Sequence, residues 1–203
     1  MIDEGVIKFE ARWRESPPLA LPEITELLEW RKPLFDAGLI GHLAAFDVGY
    51  GNLSARVGDS DRFVISGSQT GHIARPDARH FALVTRFSVD ANSVDSVGPV
   101  TASSESLTHA AIYALSASIR AVVHVHSEEL WVGLASSLAS TREGIAYGTP
   151  HMALEFARLY DETSFAESGV ARMAGHEGGL ISFGISVQQA AERILALGNR
   201  EPG

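Results

Sequence analysis

Cysteine is absent from the chain of 203 residues. That excludes disulfides, thiolate nucleophiles and every zinc site with a cysteine ligand. Any transition metal must then be held by imidazole nitrogens and carboxylates. Lysine is nearly absent as well, Lys8 and Lys32 being its two occurrences, so Schiff-base chemistry has few candidates. Positive charge is scarce overall, with 16 Lys and Arg against 25 Asp and Glu and a formal net charge of −9. A nucleic-acid footprint needs clustered basic side chains and is not expected. No run approaches the roughly 20 apolar residues of a membrane helix. The opening MIDEGVIKFEA places acids where a secretory leader carries a basic region followed by an apolar one. The expectation is a soluble, cytoplasmic protein with neither a nucleic-acid nor a membrane partner.

What is present suits one globular domain. Apolar residues make up 45% of the chain, and a chain of this length buries about 70% of the surface exposed on unfolding. Residues 1–22 read as an N-terminal strand and linker, and 23–203 as the domain itself. From Val6 to Arg14 the pattern alternates, with Ile7, Phe9, Ala11 and Trp13 on one side, which predicts a half-buried edge strand. Glu23–Trp30 reads as a helix that Pro33 breaks or kinks. Strands are expected near residues 51–57, 62–65 and 81–89, then at 121–126, 170–174 and 180–183.

A helix is predicted over Glu105–Ile119, from the apolar stripe Leu107, Ala111, Leu115 and Ile119, with Ser103 or Ser104 to cap it. Further helices are predicted over Leu130–Leu138, from Thr149-Pro150 onward, and after a capping box spanning Ser186 to Gln189. Strands and helices mixed in this way predict a single α/β domain.

Eight histidines are present. His42, His72, His80 and His151 sit among turn or helix-start residues, where solvated or hydrogen-bonded roles are ordinary. His124-Val125-His126 differs, because residues i and i+2 of a strand share a face and two imidazoles there can meet one metal ion. A third ligand is needed, and His176 in the turn Gly175-His176-Glu177-Gly178-Gly179 is the best candidate. Glu105 opens the helix before the pair. It serves either the helix dipole or a metal-proximal acid/base role, in which it could also ligate the metal at rest. His109 lies one turn on, positioned to support Glu105 or simply to pack. The small-residue loops at 51–54 and 66–71, with Ser103-Ser104, offer N–H groups and hydroxyls to an anion. Arg56, two residues after the first loop, is the one basic residue adjoining them.

In order, GNLS (51–54), ISG (65–67), SSE (103–105) with His109 four residues on, HVH (124–126), GTPHMA (148–153) and His176 ahead of GLISFG (179–184) resemble the class II aldolase/adducin family. The resemblance covers about residues 30–198. It implies a central, mostly antiparallel sheet flanked by helices, and a homo-oligomer, usually a tetramer. It also implies one zinc on His124, His126 and His176, with Glu105 as acid/base and possible ligand. The phosphate site it implies comprises Asn52, Ser66, Gly67, Ser103 and Ser104.

The implied activity, in a carbohydrate-metabolism setting, is retro-aldol cleavage of a small, phosphorylated hydroxy-ketone through a metal-stabilised enediolate. Manganese, iron or cobalt also suit three imidazoles. Two rivals stand beside it: a dehydratase or epimerase using the same proton abstraction, and a non-catalytic adducin-like interaction domain.

Overall fold

The computed structural model describes residues 5–199; the extremes of the two expected segments, 1–4 and 200–203, lie outside the described residues. Strand β1 (Glu10–Glu15) is followed by helix α1 (Pro22–Asp36), the hairpin β2 (Gly41–Leu43) and β3 (Val48–Tyr50), and strands β4 (Asn52–Arg56) and β5 (Phe63–Ser66). The meander continues with β6 (Phe81–Ser88) and β7 (Ser93–Gly98), then helix α2 (Ser106–Leu115) and strand β8 (Ala121–His126). The last third holds α3 (Glu128–Gly133), β9 (Ala139–Ser140), α4 (Pro150–Glu162), α5 (Phe165–Ser168), β10 (Val170–Arg172), β11 (Gly179–Gly184) and α6 (Val187–Leu195).

Nine strands form one sheet in the order β1-β7-β6-β5-β4-β8-β11-β10-β9, antiparallel except for the two outermost pairs, β1 with β7 and β10 with β9. The expected flanked, mostly antiparallel sheet is therefore what this chain forms. Because helices cover both faces, the central strands carry apolar residues on both. Leu53, Ala55, Val123 and Val125 pack with α1 and α6, while Ile65, Val122, Ile181 and Phe183 pack with α2 and α4. Strand β8 is the clearest case: its β-branched run is buried almost end to end. Among the described residues, no helix is long and apolar enough to cross a membrane.

Several local expectations are corrected. Strand β1 is an edge strand as expected, but starts at Glu10 and is exposed throughout, with Trp13 40% accessible. It lies beyond the helices that cover the sheet, so the apolar alternation finds no layer to pack on; only Ile7 and Phe9, ahead of the strand, reach the core. Helix α1 runs through Pro33 to Asp36. Burial of Leu27, Arg31 and Leu34 holds both halves against the sheet, and Pro33 O still accepts from Ala37 N (3.0 Å), so the helix survives one missing bond.

Helix α2 is shorter than its stripe, ending where Ser116 turns extended; Ile119 reaches the core from the following turn. Helix α3 stops at Gly133, five residues short of the expected end. Ser186 Oγ accepts from Gln189 N at 3.1 Å, as a box requires. Gln189 Oε1, however, takes the N–H of Ile185 (3.0 Å), one residue before the cap.

Candidate metal centre

The alternation that buries β8 also aims its two histidines. His124 and His126 face the α2 side, with cross-strand neighbours Asn52 and Ile181 beside His124 and Gly179 opposite His126. A glycine at that register leaves a hole, and the His176 imidazole fills it. A Cβ on Gly179 would stand 2.6 Å from His176 Cδ2. The turn that delivers His176 is closed by Gly179 N donating to His176 O at 2.8 Å, with Gly178 at φ +75°. Only a residue without Cβ sits easily at that angle.

The three Nε2 atoms converge. His126 Nε2 lies 3.0 Å from His124 Nε2 and 3.1 Å from His176 Nε2. Nitrogens bound 2.0–2.1 Å from a tetrahedral metal stand about 3.3 Å apart, so the spacing is nearly that of a ligand set. His124 Nδ1 donates to Leu180 O at 3.1 Å, which fixes the ring and leaves the Nε2 lone pair facing the other two. Lone pairs gathered this closely repel one another unless a cation or proton lies between them. The donor chemistry therefore fits a divalent ion. Among the described residues this trio is the group that could hold a metal.

Glu105 completes the cluster. It sits just before α2 with φ −90° and ψ 3°, and its side chain makes no capping bond, so it does not serve the helix end in that way. Its N–H donates to Ser103 Oγ at 3.2 Å. Its carboxylate, 1% exposed, brings Oε1 to 3.5 Å from His176 Nε2 and 3.8 Å from His124 Nε2. A carboxylate at that distance can move a proton at an atom held beside the triad.

The remaining candidates divide. Ser103 and Ser104 are buried at the turn before Glu105, and Ser103 N donates to Ser66 O at 3.1 Å, tying that turn to the end of β5. Asn52 is buried beside His124, and its Oδ1 finds no partner among the described residues, so an acceptor is left facing the site side of the sheet. Gly67 passes so near Val100 that a Cβ would fall 2.4 Å from Val100 Cγ1. Ser66 is turned away: its hydroxyl accepts from Leu53 N (3.2 Å) on the α1 side of the sheet.

His109 turns to β4: its Nδ1 lies 2.7 Å from Ser54 Oγ, which in turn lies 2.8 Å from Tyr113 Oη. Its Nε2 has no hydrogen-bond partner among the described residues, so the imidazole does not hold the Glu105 carboxylate. Complete burial pushes its pKa down to about 3. Arg56 is drawn to the far end of β4, donating to Ile119 O, Tyr113 O and Ser60 O.

Sequence reasoning missed the aromatic wall. The Tyr147 ring lies 4.5 Å from that of His176, and the Tyr50 ring 5.7 Å from that of His126. No local signal marks either residue; both arrive by tertiary packing.

Comparisons with known proteins agree with this architecture. The family described as class II aldolase and adducin N-terminal domain matches residues 37–199. L-Fuculose-1-phosphate aldolase from Thermus thermophilus is similar in structure, with a TM-score of 0.61 and 21% identity over 87% of this chain and 89% of that one. A sugar-phosphate aldolase from Thermotoga maritima gives 0.64 and 16%, over 87% and 90%. YgbL from Escherichia coli, described as a candidate aldolase/epimerase/decarboxylase, gives 0.64 and 18%, over 86% and 84%. At these identities the likeness is one of fold. No protein of curated function matches the sequence.

Proposed function

The chain belongs to the class II aldolase and adducin N-terminal domain family, and from that premise we propose that it is a metal-dependent lyase cleaving a small, phosphorylated hydroxy-ketone by a retro-aldol reaction. The observation that carries this reading is the convergence of three Nε2 atoms with the Glu105 carboxylate 3.5–3.8 Å away. His124, His126 and His176 would hold the ion, zinc first and manganese, iron or cobalt as alternatives. Once bound, it would act as a Lewis acid on the substrate's carbonyl and hydroxyl oxygens. Glu105 would hold and move the proton at the substrate carbon next to the carbonyl, a role typically contributing about 10²–10⁴-fold. Asn52, Gly67, Ser103 and Ser104 would orient the phosphate through N–H groups and hydroxyls, and burial of His124, His176 and Glu105 limits the competition from water. A cytoplasmic homotetramer completes the proposal, with light scattering as its check.

A second outcome at the same site is favoured by the likeness to YgbL, whose description includes epimerisation and decarboxylation. Each of these chemistries builds up charge beside a carbonyl, so product analysis separates them. A purely adducin-like binding domain has no use for three converged imidazoles and a buried carboxylate.

The test is metal analysis of the native chain and of His124→Ala, followed by incubation with phosphorylated ketoses. About one zinc per chain, lost in the variant, supports the reading; full metal in His124→Ala overturns the ligand assignment. Glu105→Gln is expected to keep its metal and lose solvent-proton exchange at the substrate's α-carbon. Unchanged exchange removes Glu105 from the mechanism.

A further inference from the structure

Strand β1 ends the sheet, and among the described residues no strand pairs with its outer side. It also lies outside the matched residues 37–199. All six of its residues, EARWRE, are exposed. Its bonds to β7 decide which backbone groups the outer side carries. Glu10 N donates to Asn92 O at 2.8 Å and Ser16 N to Gly98 O at 3.1 Å, with an unbroken parallel register between them. Even-numbered residues therefore turn their N–H and C=O groups toward β7, and those of Ala11, Trp13 and Glu15 point to the outer edge. Natural edge strands are blunted by proline, by a bulge, by a covering loop or by charge. Strand β1 contains no proline, keeps its register throughout and lies uncovered. Charge is its remaining guard, and the charges are spaced so that the strand complements itself.

Glu10, Arg12 and Arg14 share one face of the strand. Arg12 donates to Glu10 at 3.0 Å and to Asp95 on β7 at 3.1 Å. The opposite face carries Ala11, Trp13 and Glu15. Trp13 is anchored by Nε1 donating to Gly98 O at 3.0 Å, yet it stays 40% exposed because no helix covers this end of the sheet.

We propose that β1 is an interface between two copies of this chain, which pair edge to edge and antiparallel about a two-fold axis through Arg12, joining their sheets. In this register Ala11 and the partner's Trp13 exchange both main-chain hydrogen bonds, and the two-fold repeats the exchange. Glu10 stands opposite the partner's Arg14 at each end, in the closer, non-hydrogen-bonded pairing where opposite charges stabilise the ladder. Trp13 lies beside the partner's Ala11, whose methyl leaves room for the indole ring. The two Arg12 guanidiniums meet at the axis, each already held by Glu10 and Asp95 of its own chain. Sliding the register by two residues one way sets Arg12 against the partner's Arg14 at both ends, like charge against like. Sliding it the other way leaves Glu10 and Arg12 as the one charged pairing within the strand. The interface is independent of the functional reading and adds to whatever other contact the chain makes with itself.

A chain without cysteine lets the register be read by cross-linking. Residues opposite each other in a non-hydrogen-bonded antiparallel pair have Cα atoms about 4.5 Å apart, within the span of about 4.4–6.8 Å that a disulfide bridges. Arg12→Cys is therefore expected to link two native chains on mild oxidation. Arg14→Cys, whose own counterpart lies about 13 Å along the partner strand, is expected to stay unlinked. Light scattering supplies a second arm. Arg14→Glu and Glu10→Arg each set like charges at both ends of the interface, and each is expected to show half the wild-type mass, whatever other assembly the chain forms. Mixed in equal amounts, the two variants face acid with base at both ends and are expected to recover the wild-type mass, a rescue that no folding defect reproduces. Equal mass in wild type and both variants overturns the proposal. So does a mixture that recovers nothing, and so does Arg12→Cys that links no more readily than Arg14→Cys. Should either charge variant fail to fold, the cysteine pair still decides, since Arg12 and Arg14 are both exposed.

Discussion

His109 offers the sharpest test of the electrostatics under α2. It is wholly buried between α2 and β4, with Nδ1 2.7 Å from Ser54 Oγ and Nε2 without a partner among the described residues. Burial pushes its pKa down to about 3. The unfolded chain, with an ordinary histidine pKa near 6.5, therefore takes up the proton first as pH falls. This contribution to stability is whole above about 6.5 and is lost progressively below it, until the folded group itself protonates near 3.

Integrating the difference in proton binding between pH 7 and pH 5 gives a loss of about 2 kcal/mol from this one residue. The perturbation is His109→Asn, whose amide oxygen occupies the place of Nδ1 beside Ser54 and does not titrate. Its cavity lowers stability equally at both pH values and cancels in the comparison. Denaturant midpoints of metal-free wild type and variant at pH 7 and pH 5 supply the numbers. Wild type is expected to lose about 2 kcal/mol more than the variant over that interval. Equal losses, or a larger loss in the variant, would show that His109 is charged or solvated in the folded chain and refute the reasoning.

Two other perturbations probe different parts of the molecule. Gly179→Ala places a methyl 2.6 Å from His176 Cδ2 and 2.9 Å from His176 O. It is expected to tilt the imidazole and lower zinc affinity by about 10–100-fold, read by chelator competition; unchanged affinity would mean His176 is not a ligand. Glu155, 3% exposed, accepts from Arg158 Nη2 (2.9 Å) and from the backbone and side chain of Arg142 (both 2.7 Å). These partners, Arg158 foremost, hold its pKa below the usual carboxylate range. Its contribution is present above the unfolded carboxylate pKa and disappears as pH falls through the lowered one. Glu155→Gln is expected to cost about 1–3 kcal/mol at pH 7, with the deficit narrowing in acid; a deficit that grows in acid refutes the pairing.

The parts of the site legible in the sequence are those governed by local periodicity. HVH in a β-branched run places two imidazoles on one face because a strand repeats every two residues. SSE before an apolar stripe puts Glu105 at a helix start. Thr149-Pro150 begins α4 as expected, with Thr149 Oγ1 accepting from Met152 N at 3.4 Å. Other features resisted local reading because distant partners decide them. Strand β9 is two residues long and exists through its pairing with β10. Helix α1 passes Pro33 because buried residues on either side outweigh one lost bond. His109 turned to Ser54 instead of Glu105, a choice set by how α2 lies on β4.

The sequence by itself determined the absence of thiolate ligands, the face shared by His124 and His126, and the apolar runs that make a sheet covered by helices. All of these follow from composition or from the repeat of a strand or helix, which need no distant partner. Only the tertiary structure decided that His176 closes the triad, since this depends on Gly179 standing opposite His126 and leaving room for a ring. It also decided that Tyr147 and Lys8 meet at the back of that ring, although 139 positions separate them in the numbering. Contacts of that range are set by how β-strands pair and layers pack, and no local pattern encodes them.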